Sequence, residues 1–186
     1  MELREFQKKV VRRLTDYLGA LETQREKYSK LIEVDPDLAG DFDFPKKAWA
    51  DLKLRDYKSM ASGLGDPVPN VCFKVPTGGG KTLLACHSID LINKLYRQQQ
   101  TGLVLWIVPT TQIYNQTLSS LRDRNHPYRQ VLDASSGGRT LVVEKTDRFT
   151  LDDVESNLCT LLLMRPSPAR LSNCAVRKKG TMPRST

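Results

Sequence analysis

The stretch from residue 71 to residue 82 constrains this chain most, and it reads Val-Cys-Phe-Lys-Val-Pro-Thr-Gly-Gly-Gly-Lys-Thr. Its first five residues are apolar or β-branched at four positions, which predicts a buried strand over 71–75. Three glycines then allow a tight turn with bare backbone N–H groups, and an apolar helical pattern follows. A strand, a glycine loop and a helix in this order predict a phosphate-binding loop, because free N–H groups and a helix N-terminus attract anions.

Lys81 and Thr82 supply the side chains that such a loop uses. The lysine is expected to reach the β- and γ-phosphates of a nucleotide, and the threonine hydroxyl to ligate Mg²⁺. The strict motif has glycine six positions before the lysine, where this chain has Val75, so the loop is the Pro-Thr-Gly-x-Gly-Lys-Thr variant. The alternative is a glycine-rich turn that binds nothing, and the flanking strand and helix patterns argue against it. The predicted phosphate-binding residues are Thr77, Gly78, Gly79, Gly80, Lys81 and Thr82.

Composition and charge exclude several classes of protein. A chain of 186 residues suits one domain, and its four cysteines form no Cys-x-x-Cys pair, which predicts a reduced, cytoplasmic protein without structural zinc. The sequence contains neither a signal peptide nor an apolar run long enough to cross a membrane. The net charge is +8, but six basic residues and no acidic one lie in residues 165–186, which leaves +2 on residues 1–164. The overall charge is therefore weak evidence for nucleic-acid binding.

Apolar periodicity predicts alternating helices and strands. An amphipathic helix begins near Leu3 and continues to Ile32, and a second helix follows a loop over 35–45. The unbroken apolar run 103–108 is typical of a strand buried on both faces of a parallel sheet. The other predicted elements are, in order, the helix over 46–60, a connector over 63–70, a helix from the glycine loop to Gln98, a helix after Pro109, a loop over 123–138, a strand over 141–143, a helix from Thr150 and a strand over 158–164. A buried helix fits the apolar run 158–164 almost as well as a strand does. This alternation predicts a doubly wound α/β fold.

A second candidate site follows the strand 103–108. Thr110, Thr111 and Gln112 open a helix at the carboxyl end of that strand, the edge where parallel sheets bind ligands. These side chains could hold a phosphate of a nucleic-acid backbone. They could equally be a helix cap that satisfies orphan N–H donors, and taken alone the pattern favours the cap.

Taken together, these motifs resemble the N-terminal part of a superfamily 2 helicase-type ATPase, most closely the restriction (Res) subunit of type III restriction–modification enzymes. Leu-Arg-Glu-Phe-Gln over 3–7 resembles the family's adenine-recognition motif, residues 75–82 match its motif I, and residues 108–112 match its motif Ia. The resemblance covers roughly residues 1–164. It implies ATP and Mg²⁺ as cofactors, with Gln7 and nearby Arg4 at adenine, and Thr110, Thr111 and Gln112 on the DNA backbone. It also implies a methyltransferase (Mod-type) partner subunit.

The resemblance divides the chain into three parts. Residues 1–70 are expected to be a helical segment with the adenine motif and an insertion, and residues 71–164 a P-loop RecA-like parallel sheet flanked by helices, in incomplete form. Residues 165–186 lack acids and periodicity, which favours a disordered or out-of-frame tail over a basic arm that grips nucleic acid.

The family's acidic metal-holding motif is not apparent in the sequence. Asp152 and Asp153 are the nearest acidic pair, and they are better explained as a helix start after Thr150. The nuclease domain and the second RecA-like domain are also missing from the sequence. The expectation is a fragment of a DNA-associated helicase or translocase module that binds ATP without turnover. The alternative is a P-loop nucleotide-binding protein of another class, such as a small-molecule kinase or a regulatory module.

Overall fold

The N-terminal region is a pair of helices. A computed structural model describes residues 2–35, 42–54 and 56–165. Helix α1 (Glu5–Val34) is the predicted amphipathic helix, and its buried side chains are Leu14, Tyr17, Leu18 and Leu21 together with Gln7 and Gln24. Helix α2 (Phe44–Asp51) packs on α1, with the ring of Trp49 set edge-on against Tyr17 at 5.3 Å between centroids.

Helix α2 is shorter than the sequence predicted. The Asp43 side chain caps it by accepting from the Lys46 N–H, and proline occupies its first turn. The helix ends at Asp51, and Lys53 has a φ of 55°, which a helix cannot continue through. The prediction of a helix over 46–60 is therefore wrong beyond Asp51. The predicted loop over 35–45 falls partly on residues 36–41, which lie outside the described residues.

The helix after the glycine loop ends near Gln98, as the sequence predicted. Helix α3 (Lys81–Leu91) continues as a π-helical segment over Ile92–Arg97. Leu91, Ile92 and Tyr96 from this region pack against the core formed by α1 and α2. The glycine loop is thus attached to the N-terminal helices through the helix α3 that follows it and the π-helical segment.

The remaining elements form a three-stranded parallel sheet with helices between the strands. In chain order they are β1 (Gly102–Val108), α4 (Thr111–Arg122), α5 (Pro127–Ser136), β2 (Thr140–Glu144), α6 (Leu151–Ser156) and β3 (Leu158–Met164). The strand order is β1-β3-β2, so β3 is the central strand. Its residue Leu161 pairs with Leu105 on one side and with Val143 on the other. This architecture confirms the predicted α/β class with a parallel sheet flanked by helices.

Strand β1 is well covered on only one face by the described residues. Val104 and Trp106 of β1 pack with Cys86, Leu121 and Leu132 in one hydrophobic core between the sheet and the helices. The alternate β1 side chains face the other way, and Leu103, Leu105 and Ile107 are 44%, 57% and 61% exposed. Strand β1 is therefore not buried on both faces by the described residues, contrary to the sequence-based prediction.

Two further predictions are wrong. Residues 71–75 are extended, but they pair with no strand among the described residues, and Val71 and Cys72 are exposed. Within the predicted loop 123–138 the structure has helix α5, which is capped by the His126 side chain and begins with a proline. The polar residues of this helix and the Gly-Gly that follows it are typical of a loop, and in the prediction they outweighed its few apolar residues, such as Leu132.

Two other predictions concern membrane-spanning segments and the tail over residues 165–186. No helix in the described ranges has both the length and the apolar character needed to cross a membrane. The predicted tail lies outside the described residues from position 166 onward.

Candidate functional site

The glycine loop adopts a conformation that only glycine accommodates easily. Gly78 and Gly80 have φ angles of 74° and 73°, in the left-handed region that strains other residues. The Gly79 N–H donates to the Pro76 carbonyl oxygen at 3.1 Å, and the Lys81 ammonium donates to the same oxygen at 2.8 Å. The loop therefore closes on itself, with its lysine side chain exposed to solvent.

The N-terminus of α3 has no side-chain cap. Its N-cap residue is Gly80, and no side chain accepts from the first N–H groups. By contrast, helices α2, α4, α5 and α6 each have a side chain that accepts from a first-turn N–H. A helix N-terminus with free N–H groups and a partial positive charge is a ready site for an anion.

Gln7 contacts the loop directly. Its Nε2 donates to the Gly79 carbonyl oxygen at 2.9 Å, and its Oε1 accepts from the backbone N–H of Arg4 at 2.8 Å. The side chain is 4% exposed, and a Cβ on Gly80 would lie 2.5 Å from Nε2. The structure thus brings the predicted adenine motif against motif I, although both polar atoms of the Gln7 amide bond to the protein itself. Its contact with adenine stays a prediction.

Thr82 is the predicted Mg²⁺ ligand, and it lies half-buried in the first turn of α3, while Thr77 is exposed. The described residues contain no group of three or more His, Cys, Asp or Glu side chains that could hold a metal. The loop residues fit a phosphate, since Lys81 is exposed and no side chain caps the helix N-terminus that follows the loop. For Mg²⁺ they supply one hydroxyl, so the nucleotide phosphates and water would have to provide the remaining ligands.

The second motif lies at the start of α4, and its threonines already have protein partners. The Thr110 hydroxyl accepts from the Ile113 N–H at 3.3 Å, which is the cap that the sequence favoured. The Thr111 hydroxyl donates to the Met164 sulfur at 3.3 Å, and Gln112 is exposed. Thr110 and Thr111 are themselves exposed, so the predicted DNA contacts of all three residues remain sterically open.

A groove lies beside the glycine loop. It has a volume of about 460 Å³ and runs between residues 71–75 and strand β1. Lys81 and Ile107 both line it, so the lysine of motif I and the strand that leads into motif Ia border one cavity.

Hydrogen bonding shifts the pKa of Asp153, and burial shifts the pKa of Cys86. Hydrogen bonds from the Thr150 backbone and hydroxyl hold the pKa of Asp153 below its usual range, which is the behaviour of a capping residue. The helix-start interpretation of this acid is therefore confirmed. Burial raises the pKa of the Cys86 thiol to about 12, so the cysteine packed behind the loop is a neutral core residue.

Sequence reasoning missed two features of the surface near these elements. The Gln7–Gly79 hydrogen bond joins residues far apart in the chain, and no local sequence pattern predicts it. A cavity of about 650 Å³ lies at the amino ends of the strands, away from the glycine loop, and Arg97 and Arg139 line it. Arg97 ends the π-helical segment and Arg139 immediately precedes β2, so it is the packing of these elements that brings the two arginines to one cavity.

The family model described as type III restriction enzyme, res subunit, matches residues 1–161. This match spans the helical segment, the glycine loop, motif Ia and the sheet except for the last three residues of β3. The chain belongs to this family. Neither the comparison with curated proteins nor that with solved structures gives a match. The res subunit family is one of helicase-like ATPases, which agrees with the incomplete RecA-like sheet and with the position of the loop.

Proposed function

We propose that this res-family chain binds ATP through residues 76–82, as the nucleotide-binding module of a helicase-type motor that acts on DNA. The observation that carries the proposal is the N-terminus of α3, which has free N–H groups, no side-chain cap and Lys81 at its first position. Such a helix end stabilises the β- and γ-phosphates through N–H donors, and the lysine adds a full positive charge.

Lys81 would change partners when a nucleotide binds. In the structure its ammonium donates to an uncharged carbonyl, that of Pro76. A phosphate oxygen is the stronger acceptor for the ammonium, because it carries a negative charge and the carbonyl oxygen does not. We therefore infer that Lys81 leaves Pro76 for the nucleotide, while the loop keeps the Gly79–Pro76 backbone bond.

Adenine would lie near Arg4 and Gln7. Gln7 fixes the loop through Gly79, so a base that contacts this side chain is held at a constant distance from the phosphate site. The sequence has no Asn-Lys-x-Asp motif for guanine, which also favours ATP over GTP. If Gln7 exchanged one of its two side-chain hydrogen bonds for a hydrogen bond to the base, it would discriminate adenine.

DNA would bind across the start of α4. Thr110, Thr111 and Gln112 are exposed there, and they follow strand β1, whose residue Ile107 lines the same groove as Lys81. Backbone phosphates are the groups that threonine hydroxyls, amides and helix N-termini commonly contact. A Mod-type methyltransferase partner and a cytoplasmic location follow from the family and stay predictions.

The described residues supply no obvious acid for hydrolysis. Phosphoryl transfer in P-loop enzymes needs an acid that holds the metal, a residue that orients water and an arginine finger. Asp153, the nearest acidic candidate, already caps α6. We therefore propose that this chain alone binds ATP without turnover and that hydrolysis requires groups beyond those described.

A phosphate-release assay with and without DNA tests this proposal, with Lys81→Ala as the contamination control. The expected result is the same background rate for both proteins. Turnover near one per second, abolished by Lys81→Ala, would contradict it. Asp152 and Asp153 would then be the first acids to replace.

A further inference from the structure

The cavity of about 650 Å³ at the amino ends of the strands lies at the opposite edge of the sheet from the nucleotide loop. It is bordered by Gly102, the first residue of β1, and by Arg139, which immediately precedes β2. Arg97, the last residue of the π-helical segment, and Gln99, which follows soon after it, also line the cavity. Two guanidinium groups therefore converge on one depression from separate parts of the chain.

Arg97 is held in place by neutral acceptors. Its Nη1 donates to Asn93 Oδ1 and its Nη2 to Gln99 Oε1, both at 3.1 Å. Asn93 is 3% exposed and lies in the π-helical segment, so it provides a rigid anchor. The guanidinium lies over Gly102, where any Cβ would overlap with it.

Arg139 is positioned in the same way. Its Nη2 donates to Gln100 Oε1 at 3.3 Å, and its Nε donates to the Ser136 carbonyl oxygen at 3.4 Å. An arginine has five N–H donors, and two are used here, as they are in Arg97. Among the described residues, three N–H donors of each guanidinium therefore form no hydrogen bond and can face a ligand.

The charges of these two arginines are not neutralised. Arg25, Arg122 and Arg129 each form an ion pair with a carboxylate, but neither Arg97 nor Arg139 does so among the described residues. Glu155 also lines the cavity, yet it forms no ion pair with either arginine. The cavity lining therefore carries one net positive charge.

We propose that this cavity is a second anion site, which binds the oxygens of a phosphate group between Arg97 and Arg139. Guanidinium groups match phosphate geometry through paired N–H donors, and prior orientation by amide oxygens reduces the entropy lost on binding. The phosphate could belong to a free phosphorylated molecule or to a phosphodiester backbone, because both present the same oxygens. The site does not depend on ATP binding at the glycine loop.

The test is a titration of the ¹⁵N-labelled full chain with inorganic pyrophosphate, followed by NMR, in a Lys81→Ala background that weakens the glycine loop. The amides of Thr101 and Gly102 should shift and saturate. Arg139→Gln should raise the half-saturation concentration about tenfold, the effect of one charged hydrogen-bonding partner. Arg148→Gln removes an exposed arginine outside the cavity, and it should leave the titration unchanged.

Two further variants sharpen the test. Arg97→Lys keeps the charge but loses the paired donors, so it should weaken binding severalfold. Glu155→Gln removes the one carboxylate of the cavity and should tighten binding. Twelve-residue oligothymidylate then separates the sources: if it displaces pyrophosphate, the ligand is a phosphodiester backbone, and if it does not, the ligand is a free phosphorylated molecule.

Shifts confined to Gly78, Gly79 and Gly80, or equal half-saturation for Arg139→Gln and Arg148→Gln, would overturn the proposal. An unchanged spectrum at Thr101 and Gly102 would also overturn it. Because the background lacks Lys81, none of these outcomes depends on whether the glycine loop binds ATP.

Discussion

The Nε2 atom of Gln7 donates a hydrogen bond of 2.9 Å to the carbonyl oxygen of Gly79, and this bond joins the first turn of α1 to the middle of the glycine loop. Gln7 also accepts from the Arg4 N–H, so one buried amide fixes both the start of the helix and the loop. The conformation of the candidate nucleotide site therefore depends on the N-terminal helix.

Replacement of Gln7 should destabilise the protein as well as the loop. Gln7→Ala leaves the Gly79 carbonyl without its donor, at a cost of about 1–3 kcal/mol in the free energy of unfolding. Gln7→Glu keeps an acceptor for Arg4 but sets an oxygen against the Gly79 oxygen, so it should destabilise at least as much. Urea denaturation measures both variants, with Arg12→Ala on the exposed side of α1 as the control. Equal stability of Gln7→Ala and Arg12→Ala would contradict this role.

The variant Gln7→Ala also addresses base recognition. If Gln7 also reads adenine, Gln7→Ala should lower the preference for ATP over GTP more than it lowers the affinity for ATP. The reason is that unsatisfied polar groups at a base-reading site reject the wrong base, at about 1–3 kcal/mol for each group. Competition between ATP and GTP for the same chain measures this preference. A wild-type chain with no base preference would remove Gln7 from the base-binding residues.

Three glycine-to-alanine variants separate backbone strain from contact with Gln7. Gly63 has an ordinary φ and open space around it, Gly65 has a φ of 92° and open space, and Gly80 has a φ of 73° with Gln7 in contact. Thermal unfolding should show little effect for Gly63→Ala. It should show a loss of about 1–2 kcal/mol for Gly65→Ala from the left-handed conformation, and the largest loss for Gly80→Ala. An effect of Gly80→Ala no larger than that of Gly65→Ala would show that the Gln7 contact is loose.

Local signals made the loop and most helices predictable. The left-handed conformation at Gly78 and Gly80 is one that glycine permits at little cost, and the caps at Thr110 and Thr150 use short-range bonds within one turn. The apolar run 158–164 was ambiguous between strand and buried helix, and pairing on both sides made it the central strand.

Non-local pairing made the rest unpredictable. The apolar pattern of residues 71–75 suits a strand, but a strand also needs a partner, and β1 lies across the groove from this segment instead of pairing with it. The prediction that β1 is buried on both faces was wrong for the same reason, because the exposure of a strand depends on which elements pack against it. The cavity with Arg97 and Arg139 is formed by residues from separate parts of the chain, and no local sequence pattern predicts that they meet.

The reactivity of the cysteines tests the open position of residues 71–75. A thiol reagent at neutral pH should modify Cys72 quickly, because that side chain is exposed, while Cys86 and Cys159 are buried. Burial holds the pKa of Cys86 at about 12, so its reactive thiolate is scarce as well as inaccessible. A Cys174→Ser background limits the assay to these three thiols, and urea should expose the other two. Slow modification of Cys72 in the native protein would mean that the segment is a paired, buried strand after all.

The uncovered face of β1 predicts self-association. Ile107 is 61% exposed on an edge strand with no charged residue or proline in it, and such edges promote aggregation. Ile107→Lys should raise the soluble fraction in sedimentation experiments and leave the unfolding midpoint nearly unchanged. Leu162→Lys, at a fully buried position on the opposite face, should unfold the protein. A wild-type chain that stays monomeric at high concentration would contradict the expectation.

The most direct test of the nucleotide site is a calorimetric titration of the wild-type chain, Lys81→Ala and Lys74→Ala with Mg-ATP. Lys74 is also exposed and lies close to the loop in sequence, so its replacement removes the same charge without touching the phosphate site. The account predicts that Lys81→Ala weakens binding at least about tenfold, as expected for a lost charged hydrogen bond, and that Lys74→Ala binds like the wild type. Equal affinity of the wild type and Lys81→Ala would contradict the assignment of residues 76–82 as a nucleotide-binding loop.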